Sequence, residues 1–125
     1  MPSPTKRVVY IAGPFRGANA WEIEQNIRRA EELALEAWKT GAAVICPHTN
    51  TRFFQGAAPD HIWLEGDLEF VLRSNAVLTT PDWERSVGAT REVALAHEMK
   101  IPIFRSYWID GQPRLSAEFL AWVDK

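Results

Sequence analysis

Glu92 falls where a helix should be apolar. After Ser86, the residues Gly88, Ala89, Leu95, Ala96 and Met99 recur at helical spacing, and Glu92 lies in the middle of their stripe. Asp67 has the same relation to Trp63, Leu64, Phe70 and Val71 in the helical segment before it. An ionised carboxylate loses hydration when buried, so each acid needs a polar partner, a ligand or a bound proton. Two acids so placed suit general acid–base or nucleophilic chemistry, for which raised proton affinities are useful. The plain alternative is that each is an ordinary helix residue at the edge of its packed face, paired with an arginine. Glu92 stands too far beyond Ser86 to be the acid of a capping box, which belongs three residues after the cap.

Other residues supply binding chemistry. Ser86 is placed as a helix N-cap, and the free amides around Val87 and Gly88 make the same helix start an anion site. Arg16 follows the first strand and can offer a bidentate phosphate contact; otherwise it is a solvated loop arginine. Tyr10, at the end of that strand, can hydrogen-bond one Glu92 oxygen and leave the other free, or simply pack. Cys46 beside His48 hints at a thiol nucleophile, although a lone cysteine ending a buried strand is more often core. His48, His61 and His97 have no ligand spacing, so no metal and no cofactor is expected. Among the six tryptophans and the phenylalanines, Trp83 and Phe54 are the candidates to stack on a base.

The elements that must position these groups follow from periodicity. Arg7–Ile11 reads as a first strand stopped by Ala12-Gly13-Pro14, and a helix runs from an Asn19/Glu22 capping box to about Gly41. Ala43–Cys46 is a second buried strand, followed by a long loop from Pro47 through Thr49, Phe53, Phe54 and Gly56. Asp60 caps a helix to about Arg73, Ala76–Thr79 is a third strand, and Ser86 opens a helix to about Lys100. Ile101–Phe104 is a fourth strand, with Pro102 at its start or on an edge, Tyr107–Ile109 a possible fifth, and Leu115–Val123 a terminal helix. Such alternation implies right-handed crossovers, hence one α/β domain whose mainly parallel sheet of four or five strands carries helices on both faces. Ligands bind such sheets beyond the carboxyl ends of the strands. The loops Gly13–Asn19, Pro47–Asp60 and Thr80–Gly88 and the segment after Phe104 are the places to look.

Composition narrows the classes further. A chain of 125 residues suits one domain, with residues 1–6 read as a frayed tail and 7–125 as the domain. The formal charge of −2 gives no broad attraction for a nucleic-acid polymer, so phosphate recognition must be local. A single cysteine excludes an internal disulfide and fits a cytoplasmic protein, and no apolar run approaches a membrane span. Ala12-Gly13-Pro14-Phe15-Arg16-Gly17 is not a dinucleotide fingerprint, which disfavours an oxidoreductase. A non-catalytic nucleotide-binding module stays open as the rival from another class.

Taken together, Tyr10-Ile11-Ala12-Gly13-Pro14-Phe15, Gly66-Asp67-Leu68 and Ser86-x-Gly88-x-x-x-Glu92 resemble the nucleoside 2-deoxyribosyltransferase-like family, from about Val8 to Phe104. The resemblance implies a flavodoxin-like, Rossmann-like sheet, a dimer or higher homo-oligomer, and a small nucleoside or nucleotide as partner. It also implies N-glycosidic chemistry: base exchange between deoxyribosides, or hydrolysis of nucleoside 5′-monophosphates. Glu92 matches the nucleophile, Asp67 the acid that protonates the leaving base, and Tyr10 the residue that positions the nucleophile. Gly13, Phe15, Arg16, Ser86 and Gly88 match substrate-binding positions, and Ser116 resembles a serine that reaches a neighbouring subunit's site. The aromatic loop Thr51-Arg52-Phe53-Phe54 departs from the hydrolases, and the tail departs from the compact transferases.

Overall fold

A computed structural model describes residues 6–124. Of the expected tail, residues 1–5 lie outside the described residues; Lys6 lies inside, and its Nζ donates to the Gly41 carbonyl at 3.0 Å. The strands β1 (Val8–Ala12), β2 (Ala43–Ile45), β3 (Ala76–Thr79), β4 (Ile103–Ile109) and β5 (Gln112–Leu115) form one sheet in the order β2-β1-β3-β4-β5. The first four are parallel, and β5 returns antiparallel to β4. This is a flavodoxin-like α/β fold. Its strand order reverses between β1 and β3, so a crevice opens beyond their carboxyl ends.

Alternation along the central strands builds two cores. Val9, Ile11 and Leu78 face α1 (Ala20–Lys39) and α5 (Ala117–Val123), meeting Ala30, Leu33, Ala37 and Phe119. Tyr10, Ala12 and Val77 face the other way, toward Val71 of α3 (Asp60–Leu72) and Ala89 and Ala96 of α4 (Val87–Glu98). Helices therefore cover both faces, as the alternation of elements implies. Asn19 caps α1 by accepting from the Glu22 amide at 2.9 Å, while Glu22 reaches back to the Ala18 amide. Among the described residues no helix is long and apolar enough to cross a membrane.

Four expectations are corrected. The segment after β2 is not all loop: Pro47–Asn50 forms a short helix, α2, with proline at its start, where the missing N–H costs nothing. Asp60 is not the cap of α3; Pro59 holds that position and the Asp60 carboxylate binds Arg16 instead. Tyr107–Ile109 continues β4 rather than forming a separate strand. The fifth strand is Gln112–Leu115, reached through Asp110 and Gly111 with φ of 51° and 78°, the pair of positive values that a two-residue hairpin needs. Leu115 consequently leaves the terminal helix, whose cap is Ser116.

Candidate active site

The crevice predicted by the strand order is an open cleft of about 540 Å³. It is lined by Gly13, Pro14, Phe15 and Arg16 after β1, by His48 and Thr51 after β2, and by Trp63, Leu64 and Asp67 on α3. Arg85, Ser86, Gly88, Arg91 and Glu92 complete the wall from the start of α4.

Glu92 is buried on the stripe it shares with Ala89 and Ala96, at 8% exposure. The hydroxyl of Tyr10, wholly buried in β1, donates to Glu92 Oε2 at 2.7 Å. Burial pushes the Glu92 carboxyl up to about 8; the Tyr10 hydrogen bond pulls the other way, and the charge of Asp67 adds to the rise. Tyr10 is itself raised by burial and then by the Glu92 charge, so it stays protonated and remains a donor.

Asp67 lies on the face of α3 where its spacing places it, and that face is half-buried rather than core. Of α3, only Val71 is fully buried; Trp63, Leu64 and Phe70 are half-buried, and Ile62 and Leu72 are exposed. Trp63, Leu64, Asp67, Leu68, Phe70 and Val71 share one face of the helix with Asp67 at its middle, while Glu65, Gly66 and Glu69 face solvent with Ile62 and Leu72; from that half-buried face Asp67 lines the cleft. Burial still raises its carboxyl to about 6. The two acids thus stand in one cleft with enough mutual influence for the charge of Asp67 to bear on Glu92.

At the α4 end, Ser86 Oγ accepts from the Ala89 amide at 3.1 Å, which makes Ser86 the N-cap. Among the described residues the Val87 and Gly88 amides meet no acceptor, as the first amides of a helix need not. A Cβ built on Gly88 would meet only Ser86 Oγ, at 3.8 Å, so protein packing does not require glycine there. Gly13 is different: a Cβ would lie 2.5 Å from Thr80 Cγ2, and only glycine lets the β1 and β3 ends close together. Arg16 reaches Asp60 Oδ2 at 2.6 Å across the cleft rim, and Arg85 binds Asp82 Oδ2 at 3.2 Å.

Several residues fall elsewhere. Ser116 does not line this cleft; it is buried, and its Oγ accepts from the Phe119 amide at 3.1 Å to cap α5. Phe54 packs on Trp63 with ring centroids 5.6 Å apart, and Trp83 packs with the α3–α4 core, so neither lines the cleft. Trp63 supplies the aromatic wall instead, with a buried indole N–H that has no partner among the described residues. Cys46 is buried, its thiol pushed up by that burial, which leaves it an unreactive core group. Arg85, Arg91, Asp60 and Trp63 are cleft residues to which sequence reasoning gave no binding role, although Asp60 and Arg85 fall in two of the strand-end loops it marked for ligands.

A solved structure of 2-deoxyribosyltransferase from the psychrotolerant bacterium Bacillus psychrosaccharolyticus matches with a TM-score of 0.57 at 18% identity. The match covers 78% of this chain and 70% of that one. At that identity the likeness is one of fold. No curated protein matches the chain. Residues 7–106, which hold β1 through most of β4 and every cleft residue named above, match the family described as Domain of unknown function (DUF7768), and the chain belongs to that family.

Proposed function

We propose that the chain hydrolyses the N-glycosidic bond of a nucleoside or deoxynucleoside 5′-monophosphate through a glycosyl ester on Glu92. The observation that carries this reading is the Tyr10–Glu92 hydrogen bond at the floor of a cleft that also holds Asp67. Tyr10 occupies Glu92 Oε2 and leaves Oε1 free to attack C1′. The C1′–N bond breaks as the C1′–O bond forms, and the departing base takes a proton from Asp67, directly or through water. Asp67, now ionised, then accepts a proton from the water that attacks C1′ and releases Glu92. The products are free base and sugar 5-phosphate.

The fold neighbour is named for deoxyribosyl transfer, which supports a nucleoside as the substrate class. Preference for a 5′-phosphate is supported by Arg16 and Arg85 at the rim, whose guanidinium groups keep further donors beyond their pairs with Asp60 and Asp82, and by the free amides at Val87 and Gly88. Purified protein is to be incubated with a panel of nucleosides and their 5′-monophosphates, and released base measured by chromatography. Release from monophosphates in preference to nucleosides supports the reading. Release only when a second base is present makes the chain a transferase, and binding without release makes it a nucleotide-binding module.

A further inference from the structure

Four consecutive carbonyls after β1 are each held by a buried side chain from elsewhere in the chain. His48 Nε2 lies 3.0 Å from both the Gly13 and Pro14 oxygens. Asn26 Nδ2 lies 3.2 Å from the Phe15 oxygen and 3.0 Å from that of Arg16. Carbonyl oxygens only accept, so Nε2 is the protonated nitrogen of His48 and the NH₂ of Asn26 faces the loop. Burial lowers the proton affinity of His48, which keeps the ring neutral with its Nδ1 unprotonated, 4.0 Å from Cys46 Sγ.

With its NH₂ so turned, Asn26 presents Oδ1 to Arg85, whose Nη2 donates to it at 3.4 Å. One amide therefore joins the loop that carries Arg16 to the arginine beside Ser86. Packing alone does not call for asparagine there. On the same helix the buried Ala30, Leu33 and Ala34 are apolar, whereas Asn26 is equally buried yet places both its polar atoms against the loop and Arg85. An internal asparagine also lowers helix propensity. Because a trans peptide is planar, each amide that follows a held carbonyl points the opposite way. The N–H groups of Phe15, Arg16 and Gly17 hence face away from the clamping side chains, and among the described residues none meets an acceptor.

We propose that Asn26 and His48 are positioning residues that clamp the Gly13–Arg16 loop by its carbonyls, and that Asn26 thereby sets Arg16 and Arg85 at a fixed separation for an anionic group on the ligand. This rests on the 5′-phosphate reading above. Asn26→Asp discriminates well: the carboxylate still accepts from Arg85 but cannot donate to the loop, and it faces two carbonyl oxygens. The full chain is to be assayed with a 5′-monophosphate and its nucleoside. Asn26→Asp should raise KM for the monophosphate at least about tenfold while changing nucleoside KM and kcat less than about twofold. Equal losses with both substrates, or no loss with either, overturn the proposal and leave the 5′-phosphate reading standing.

A second measurement needs no turnover. Inorganic phosphate titrated into ¹⁵N-labelled wild type should shift the Arg16 and Gly17 amides saturably, and Asn26→Asp should abolish that shift while the Val87 and Gly88 amides still respond. Wild type that shows these shifts but releases no base would sink the hydrolase reading and keep the clamp. If phosphate leaves the Arg16 and Gly17 amides unmoved in wild type, the clamp proposal falls. Should Asn26→Asp fail to fold, Asn26→Ala, which removes both the donor to the loop and the acceptor for Arg85, is read in the same two ways, and equal losses with both substrates overturn the proposal there.

Discussion

Tyr10 holds Glu92 from behind: its hydroxyl enters from the buried centre of the sheet and binds Oε2 at 2.7 Å, while Glu92 faces the cleft from α4. Strand and helix thereby fix one carboxylate oxygen and leave the other to chemistry. The carboxyl group is costly to bury, and under the proposed hydrolysis that cost is offset by the oxygen it presents to C1′.

Replacing the anion is the most direct check. Glu92→Gln preserves shape and should lower base release by at least about a thousandfold. Tyr10→Phe should cost less, about ten- to a hundredfold, because the nucleophile survives but loses its alignment. A folded Glu92→Gln protein with normal turnover would remove Glu92 from the mechanism.

The two raised acids dictate a bell-shaped pH dependence. With Asp67 near 6 and Glu92 near 8, the pair carries two protons below about pH 6, one in between and none above about pH 8. The proposed chemistry needs Glu92 ionised and Asp67 protonated. This is the minor one-proton form, because Glu92 binds its proton more tightly, but it occupies the same pH window as the major one. So kcat/KM should peak near pH 7 and fall on both sides. Tyr10→Phe, lacking the hydrogen bond that favours the Glu92 anion, should move the alkaline limb to higher pH. A flat profile from pH 5 to 9 would contradict a shared proton.

Asp67→Asn probes the other acid. Loss should be large with ordinary bases and much smaller with bases that depart readily as anions, since these need less protonation. Rates falling by the same factor across a leaving-group series would assign Asp67 to sugar binding instead.

Stability should carry the same signature. Glu92 titrates near 4.5 when solvated and near 8 in the fold, so folding takes up a proton between those values. The wild-type carboxyl therefore costs nothing extra below about pH 4.5, destabilises progressively as pH rises from there to about 8, and adds no further loss above it. Glu92→Gln removes that cost, and its advantage in denaturant unfolding should grow by roughly 2 to 4 kcal/mol from pH 4 to pH 9. An advantage that does not change with pH would mean that Glu92 titrates normally.

Gly88 separates fold from function. A methyl group there meets only Ser86 Oγ, at 3.8 Å, so Gly88→Ala should stabilise the chain by about 0.4 to 1 kcal/mol. On the cleft side the same methyl obstructs a phosphate approaching the α4 amides, and KM for a monophosphate should rise. Unchanged monophosphate KM in a stabilised Gly88→Ala protein would move the phosphate away from α4.

Much of the fold was legible because its elements are punctuated. Proline or glycine follows β1, β2 and β3 closely, and α1 and α4 announce their caps with Asn19 and Ser86. Glu92 stood out because an acid interrupted an alanine-rich stripe. The Asp110-Gly111 hairpin was also readable, but Tyr107-Trp108-Ile109 looked like a strand of its own and hid it. Asp67 stood out the same way, at the middle of the face that Trp63, Leu64, Phe70 and Val71 share, and that face is half-buried where it borders the cleft. Asn26 and His48 left no trace of their role: their partners are backbone carbonyls, which every residue has, so no pairing of side-chain types reveals them.

The central place of β1 has a kinetic consequence. Of the strands of this sheet it precedes the rest in the chain, yet it pairs with β2 on one side and β3 on the other, and its Tyr10 finds Glu92 only once α4 exists. Contacts this distant in sequence slow folding, because chain closure precedes any reward from pairing. A nascent chain therefore holds an apolar strand without neighbours until much of the domain has emerged, and chaperone demand should be greatest before β3 arrives.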